Sequence, residues 1–219
     1  MQPSPRAATP ADPDDAPRAR AAIRTWAVAA LGALGLLLAT DLGRAFTSEG
    51  ARRLAIARAP RPLPAATLQD STGARLRASE LIGRRWVVGF VYTQCGSLCP
   101  RQTADMAELS RRLAERPELE NVELLSVSFD PARDTPAALE AYRQHFASSD
   151  DRWRFARIED RTELSGWLET FGIVVIPDGT GGFEHNAALH LVDPAGKLSA
   201  VHDLSDLPGV LAHLARPTP

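Results

Sequence analysis

Hydrophobic and polar positions divide the chain into segments of different character. Residues 1–20 alternate prolines and alanines with Asp12, Asp14 and Asp15, and bury too little apolar surface to offset their ordering entropy. Residues 1–22 therefore read as a disordered N-terminal segment. Thr25–Thr40 then carries no charge, with Arg24 before it and Asp41 after it. Uniform apolarity with no polar face argues against an ordinary core helix. Sixteen helical residues reach ~24 Å, a little short of a ~30 Å hydrocarbon core, and snorkelling by Arg24 with an interfacial Trp26 extends that reach. Residues 23–41 are thus expected to form a single transmembrane helix. A cleaved signal peptide is the rival, with Gly43-Arg44-Ala45 as its small-residue cleavage site. The long acidic segment ahead of the run favours an uncleaved anchor. Residues 42–62 read as a tether, stiffened by the prolines of Ala59-Pro60-Arg61-Pro62-Leu63-Pro64.

From residue 63 to 217 the pattern is that of an α/β domain. Ala65–Gln69 and Arg75–Arg77 flank the turn Asp70-Ser71-Thr72-Gly73 and predict a hairpin. Trp86–Tyr92 and Val122–Phe129 are short continuous apolar runs, as expected of strands buried on both faces. Helices are predicted from about 98, with Met106, Leu109 and Leu113 on one stripe, from Pro136 to about Phe146, over 162–170, and near 205–214. A second hairpin, Ala187–Val192 and Lys197–His202, turns at Asp193-Pro194-Ala195-Gly196. The order predicts a mixed central sheet with flanking helices, a thioredoxin-like fold with an added N-terminal hairpin.

Composition adds limits. The 219 residues hold 44% hydrophobic and 24% charged residues, enough for a core without disulfide staples. A formal net charge of −2 leaves no basic field for nucleic acid. The five histidines show no zinc-finger spacing.

Candidate chemistry centres on the two cysteines, Cys95 and Cys99, in Tyr92-Thr93-Gln94-Cys95-Gly96-Ser97-Leu98-Cys99-Pro100. They follow a buried strand and open a helix, the edge where parallel α/β sheets present reactive groups. Residues four apart share a helix face at ~5–6 Å between Cβ atoms. A structural bridge closing so short a loop gains little stability, so a functional pair is favoured. Two thiolates are soft ligands that suit Cu(I) in two- or three-coordinate geometry. The facing loop should supply a third ligand, and His185 lies in that loop. Asp130, at the end of the second central strand, either organises its loop or tunes the cysteines. Of the other histidines, His190 is expected on the sheet surface, His202 and His213 in solvent, and His145 at a helix end. Trp153, Trp167 and Phe171 are expected to pack. Arg101, Arg111 and Arg112 form a solvated helix face.

The motifs resemble those of the Sco/SenC family. Thr93-Gln94-Cys95-Gly96-Ser97-Leu98-Cys99-Pro100 is similar to its T-x-C-x-x-x-C-P. Ser128-Phe129-Asp130-Pro131 with Asp134-Thr135-Pro136 is similar to its S-x-D-P-x-x-D-T-P. His185-Asn186-Ala187-Ala188 with Leu191, Asp193 and Gly196 follows its histidine motif. The resemblance covers roughly residues 63–215. It implies a copper ion, Cu(I) or Cu(II), held by Cys95, Cys99 and His185, and a metallochaperone that helps assemble the binuclear copper centre of cytochrome c oxidase. It further implies partners in the copper-accepting oxidase subunit and other copper chaperones. The implied location is the inner membrane, single-pass, with the domain in the periplasm, or in the intermembrane space of a mitochondrion. Departures are Gly96 and Ser97, where the family carries proline and an acidic residue, and Asn186 in place of serine or threonine. Gly179-Thr180-Gly181-Gly182 reads as a flexible stretch that lets His185 swing in. The rival readings are a thiol–disulfide oxidoreductase using Cys95 and Cys99, and a copper or redox sensor. Against the oxidoreductase stand three residues between the cysteines, where thioredoxins have two, and the absence of a proline in the facing loop.

Overall fold

The apolar run after Arg24 lies within a longer helix than its uncharged stretch predicts. In the computed structural model, which describes residues 15–40, 47–96, 98–146 and 151–216, helix α1 spans Asp15–Ala39. It starts ahead of residue 23 because alanine and arginine are good helix formers. Residues 1–14 of the segment read as disordered, the cleavage motif Gly43-Arg44-Ala45, and Ser97 lie outside the described residues. Trp26, Val28, Leu31, Leu34 and Leu36–Leu38 of α1 are exposed. Among the described residues, no helix is long and apolar enough to cross a membrane. Helix α2 is Ser48–Arg58, with Glu49 paired to Arg52 (2.7 Å) and Arg53 (2.9 Å).

The chain divides into two units at Leu54/Ala55, and the second carries the sheet. Its strands are β1 (Arg61–Pro62), β2 (Thr67–Asp70), β3 (Arg75–Arg77), β4 (Arg85–Val91), β5 (Val122–Ser128) and β6 (Trp153–Ile158), then β7 (Val175–Pro177), β8 (Phe183–His185), β9 (Leu189–Val192) and β10 (Lys197–His202). The helices are α3 (Leu98–Ala114), α4 (Pro136–Phe146), α5 (Arg161–Phe171) and α6 (Leu207–Leu214). Eight strands run in the order β1-β10-β9-β4-β5-β6-β2-β3, while β7 and β8 make a separate two-stranded sheet. The centre, β4, β5 and β6, is parallel; the flanking pairs are antiparallel. Arg61–Pro62, expected in the tether, pairs with β10. A two-residue edge strand tolerates proline because its missing N–H can face away from the sheet.

Burial on two faces accounts for the apolar runs of β4 and β5. Val87 turns to a cluster with Met106, Leu109, Leu113 and Val210, while Val88 and Phe90 turn to one with Leu68, Trp167 and Phe171. Every residue of β5 is buried. Strand β6 is absent from the sequence reading because Arg154 and Arg157 interrupt its apolar residues. Trp153 and Phe155 are nonetheless buried there. The hydrophobic stripe of α3 lies as predicted, and its outer face carries Arg111 and Arg112 paired to Glu108 at 2.7 Å. Asp160 caps α5 through the amides of Thr162 and Glu163, and Gly172 ends it in the left-handed region.

Three histidine expectations need correction. His190 is fully buried, since β9 lies between β4 and β10 with apolar clusters on both faces. Its Nδ1 meets Val88 O at 3.2 Å and its ring lies edge-on to Phe90 and Phe171. His202 and His213 are partly buried against each other, with ring centroids 5.7 Å apart, and His202 Nδ1 meets Asp206 Oδ2 at 2.9 Å. Burial and the neighbouring positive groups hold the His213 imidazole below its usual range.

One buried residue runs against the core's apolar pattern. Gln102 of α3 is 1% exposed, and neither side-chain amide atom meets a hydrogen-bond partner among the described residues. Gly89 leaves it room, because a Cβ there would collide with the Gln102 amide. An unsatisfied buried amide costs about 1–3 kcal/mol. Gln102→Met, which keeps the length and removes the amide, is expected to stabilise the protein by about 1 kcal/mol, read as a higher urea midpoint at constant slope.

Candidate metal centre

Parallel β4 and β5 end on the same side of the sheet, so the loops that follow them meet there. After β4 the chain turns at Tyr92–Cys95, where the Cys95 amide donates to Tyr92 O (3.3 Å), and enters α3 at Leu98. Cys99, in the first turn, is fully buried, and Cys95 is 8% exposed. The Cys99 amide donates to Cys95 Sγ at 3.3 Å. Both are free thiols.

The third candidate arrives from outside the main sheet. His185 ends β8, opposite Val175 of β7. Its Nε2 lies 3.4 Å from Cys99 Sγ, and its Nδ1 lies 3.0 Å from Asn186 O. The ligand atoms of Cys95, Cys99 and His185 all fall within 4.8 Å of one another, the sole such group among the described residues. The imidazole sits against Phe129 (centroids 4.8 Å) and Tyr92 (6.2 Å), and Phe183 completes this aromatic wall. The Gly179–Gly182 stretch, expected to be flexible, is the turn of the β7–β8 hairpin. Asp178 Oδ1 accepts from the amides of Thr180 (2.8 Å) and Gly182 (2.9 Å) and from the Thr180 hydroxyl. Gly179 and Gly181 adopt φ of 78° and 98°, which glycine accepts without strain. His185 thus already lies beside the sulfurs.

Burial dominates the electrostatics. It pushes the Cys99 thiol well above its ordinary range; the adjoining Cys95 and the Asp134 charge add to this, and the Tyr92 backbone opposes it. Burial lowers the His185 pKa, against an opposing contribution from Asn186 O, which keeps the imidazole neutral and its lone pair available at neutral pH. The donor set is soft, dry and converging, which fits a thiophilic ion such as Cu(I) better than magnesium or calcium.

Asp130 and two residues absent from the sequence-predicted set organise the loops. Asp134 is fully buried at the start of the turn into α4. Its carboxylate accepts the Thr93 amide (3.1 Å), the Thr93 hydroxyl (2.6 Å) and the Ser128 hydroxyl. It therefore ties the cysteine loop to the end of β5. Burial raises its pKa against these hydrogen bonds. Asp130 binds Arg133. Asp134 stands within Asp134-Thr135-Pro136, a motif that carries its signal, whereas Arg133, between the two aspartates, has no such signal.

A family model described as SCO1/SenC matches residues 63–215. The chain belongs to the SCO1/SenC family. A SCO1 protein homolog of Bacillus subtilis (strain 168) is 32% identical over 134 residues, covering 60% of this chain and 68% of that protein. The crystal structure of a SCO1/SenC family lipoprotein from Bacillus anthracis str. Ames superposes with a TM-score of 0.63 at 25% identity, covering 73% of this chain and 99% of the other. Copper-bound yeast Sco1 matches with a TM-score of 0.61 at 19% identity, over 73% and 92% of the two chains, a likeness of fold alone. The expected α/β, thioredoxin-like architecture is the one this SCO1/SenC domain adopts.

A raised folded-state thiol pKa contributes stability that is present below the unfolded thiol value and lost as pH rises through the folded one. The reduced, metal-free protein is therefore expected to lose stability as pH climbs above about 8.5, the ordinary thiol pKa. Cys99→Ala should flatten that loss. Urea midpoints at neutral and strongly alkaline pH test this, and an identical pH slope in the variant would contradict it.

Proposed function

We propose that this SCO1/SenC protein binds one copper ion through Cys95 Sγ, Cys99 Sγ and His185 Nε2 and carries it as cargo for assembly of the binuclear copper centre of cytochrome c oxidase. The observation that carries the reading is the convergence of two buried thiols and a neutral imidazole within 4.8 Å. Copper-bound structures of yeast Sco1 and of Bradyrhizobium japonicum ScoI support it from within the fold. Because both ligating sulfurs must be thiolates, uptake releases protons. The chain's own contribution is to hold the donors together, to keep water away with Tyr92, Phe129 and Phe183, and to orient the imidazole through Asn186 O. The partners on this reading are the copper-accepting oxidase subunit and other copper chaperones.

A second reading rests on the same two sulfurs. As a thiol–disulfide oxidoreductase, the Cys95–Cys99 pair would give up two electrons and two protons to an acceptor disulfide and become oxidised itself. His185 separates the two, because only copper binding needs it. The expected result is one Cu(I) per wild-type chain in competition with a chromophoric chelator, none in Cys95→Ser or Cys99→Ser, and affinity lower by more than about 100-fold, or about 3 kcal/mol, in His185→Ala. Oxidase copper content in copper-limited cells carrying only His185→Ala should fall with it. Full oxidase loading there would replace the chaperone with the reductase.

We further propose that α1 anchors the protein in the inner membrane with the domain on the periplasmic side, or the intermembrane-space side in a mitochondrion. Its exposed Trp26, Leu31, Leu34 and Leu36–Leu38 support this, since water is a poor solvent for so dense an apolar surface. Arg24 snorkelling is needed to lengthen a short uncharged stretch. Alkaline carbonate washing of membranes should leave the full chain in the pellet; release into the supernatant, or a mature N-terminus at Phe46, would refute the anchor.

A further inference from the structure

The hairpin that delivers His185 shares no backbone ladder with the main sheet. Its placement must therefore come from side chains. Asn186 holds its base, accepting the Val174 amide (2.7 Å) and donating to Gly172 O (2.9 Å). Tyr92 OH accepts the Phe183 amide at 3.2 Å. Phe183 also packs against Tyr92 and Phe129, and among the described residues a guanidinium reaches the turn itself. Arg133, in the turn between β5 and α4, donates through Nε to Asp130 and through Nη1 to Gly181 O and to Gln94 Oε1 (3.3 Å). Its Cζ also stands 5.3 Å from the centroid of the Phe183 ring.

We propose that Arg133 is the positioning residue of this centre: it staples the β7–β8 hairpin to the loop bearing Cys95 and so holds His185 against the sulfurs. Gln94 is the neighbour of Cys95, Gly181 lies in the hairpin turn, and Phe183 opens the strand that leads to His185. One planar fork thereby joins the hairpin turn to the loops that follow β4 and β5. Asp130 orients that fork, which assigns the carboxylate its part: it acts through Arg133. A lysine would bring the charge but only a single point donor, so it cannot reach Asp130, Gly181 O and Gln94 while stacking on Phe183. Arg133 keeps a third of its side chain in solvent, so its loss leaves the core intact.

This deepens the proposed function, resting on His185 as a copper ligand, but placement can be read without copper. In the reduced, metal-free protein the His185 ring protons should carry ring-current shifts from Phe129 and Tyr92. In Arg133→Gln those shifts are expected to collapse toward free-histidine values, while those of His190, buried between Phe90 and Phe171, stay put. Asp130→Asn, which leaves the guanidinium but removes its anchor, should move His185 part of the way. Arg133→Lys should not restore the wild-type shifts. In Cu(I) competition Arg133→Gln should weaken binding roughly 10–100-fold. Combined with His185→Ala it should add nothing further, since both remove the same ligand. Unchanged His185 shifts in Arg133→Gln, full rescue by lysine, or additive losses in the double variant would each overturn the proposal. Should wild type take up no copper while Arg133→Gln still shifts the His185 ring, the metal reading fails and the staple stands.

Discussion

Two-sided burial of β4 and β5 is the constraint on which the rest of this molecule depends. A strand covered on both faces has its polar backbone groups satisfied only by neighbouring strands, so β4 and β5 must each lie between two paired strands, and β4, β5 and β6 run parallel. Parallel strands end together. The loops after β4 and β5 are therefore forced into contact at one edge, and the helix that returns from β4 must start there. Cys95 and Cys99 sit where that helix begins, and the Ser128–Asp134 turn sits beside them, as consequences of the same packing.

Within that edge, desolvation sets the character of the site. The sulfurs are buried among aromatic rings, which raises the cost of a bare thiolate and lowers that of a neutral imidazole. The pocket is thus poor at stabilising charge alone and well suited to a cation that neutralises thiolates as it enters. The carboxylates nearby are spent on structure. Asp134 holds Thr93 and Ser128, and Asp130 holds Arg133. Both act on loop geometry, and burial remains the first cause of the shifts at Cys99 and His185, with the Asp134 charge adding to that at Cys99.

Much of this was legible along the chain. Continuous apolar runs announced β4 and β5, the Met106–Leu113 stripe announced α3, and Gly73 and Gly196 marked hairpin turns that the fold uses. Local patterns of this kind report local forces: which face is buried, where a backbone can turn, where a helix can start. Strand β6 carries no such signal because its arginines break the run, and the alternation of Trp153 and Phe155 is too short to stand out. His190 was misplaced because a strand buried on both faces and one covered on a single face can share the same residues; only its neighbours β4 and β10 decide between them.

Candidate chemistry is written in residue type and spacing: two thiols at helical spacing behind a buried strand, a histidine ahead of the last hairpin, and their motif spacing. Those are properties of residue type and separation, which the chain carries before it folds. How the histidine reaches the thiols follows from the folded chain. Cys99 and His185 are 86 positions apart, and their 3.4 Å approach depends on a two-stranded hairpin held by Tyr92, Asn186 and the Arg133 fork. Contacts between segments so distant have no period and no local signature, because they exist only once the sheet has brought its loops to one edge.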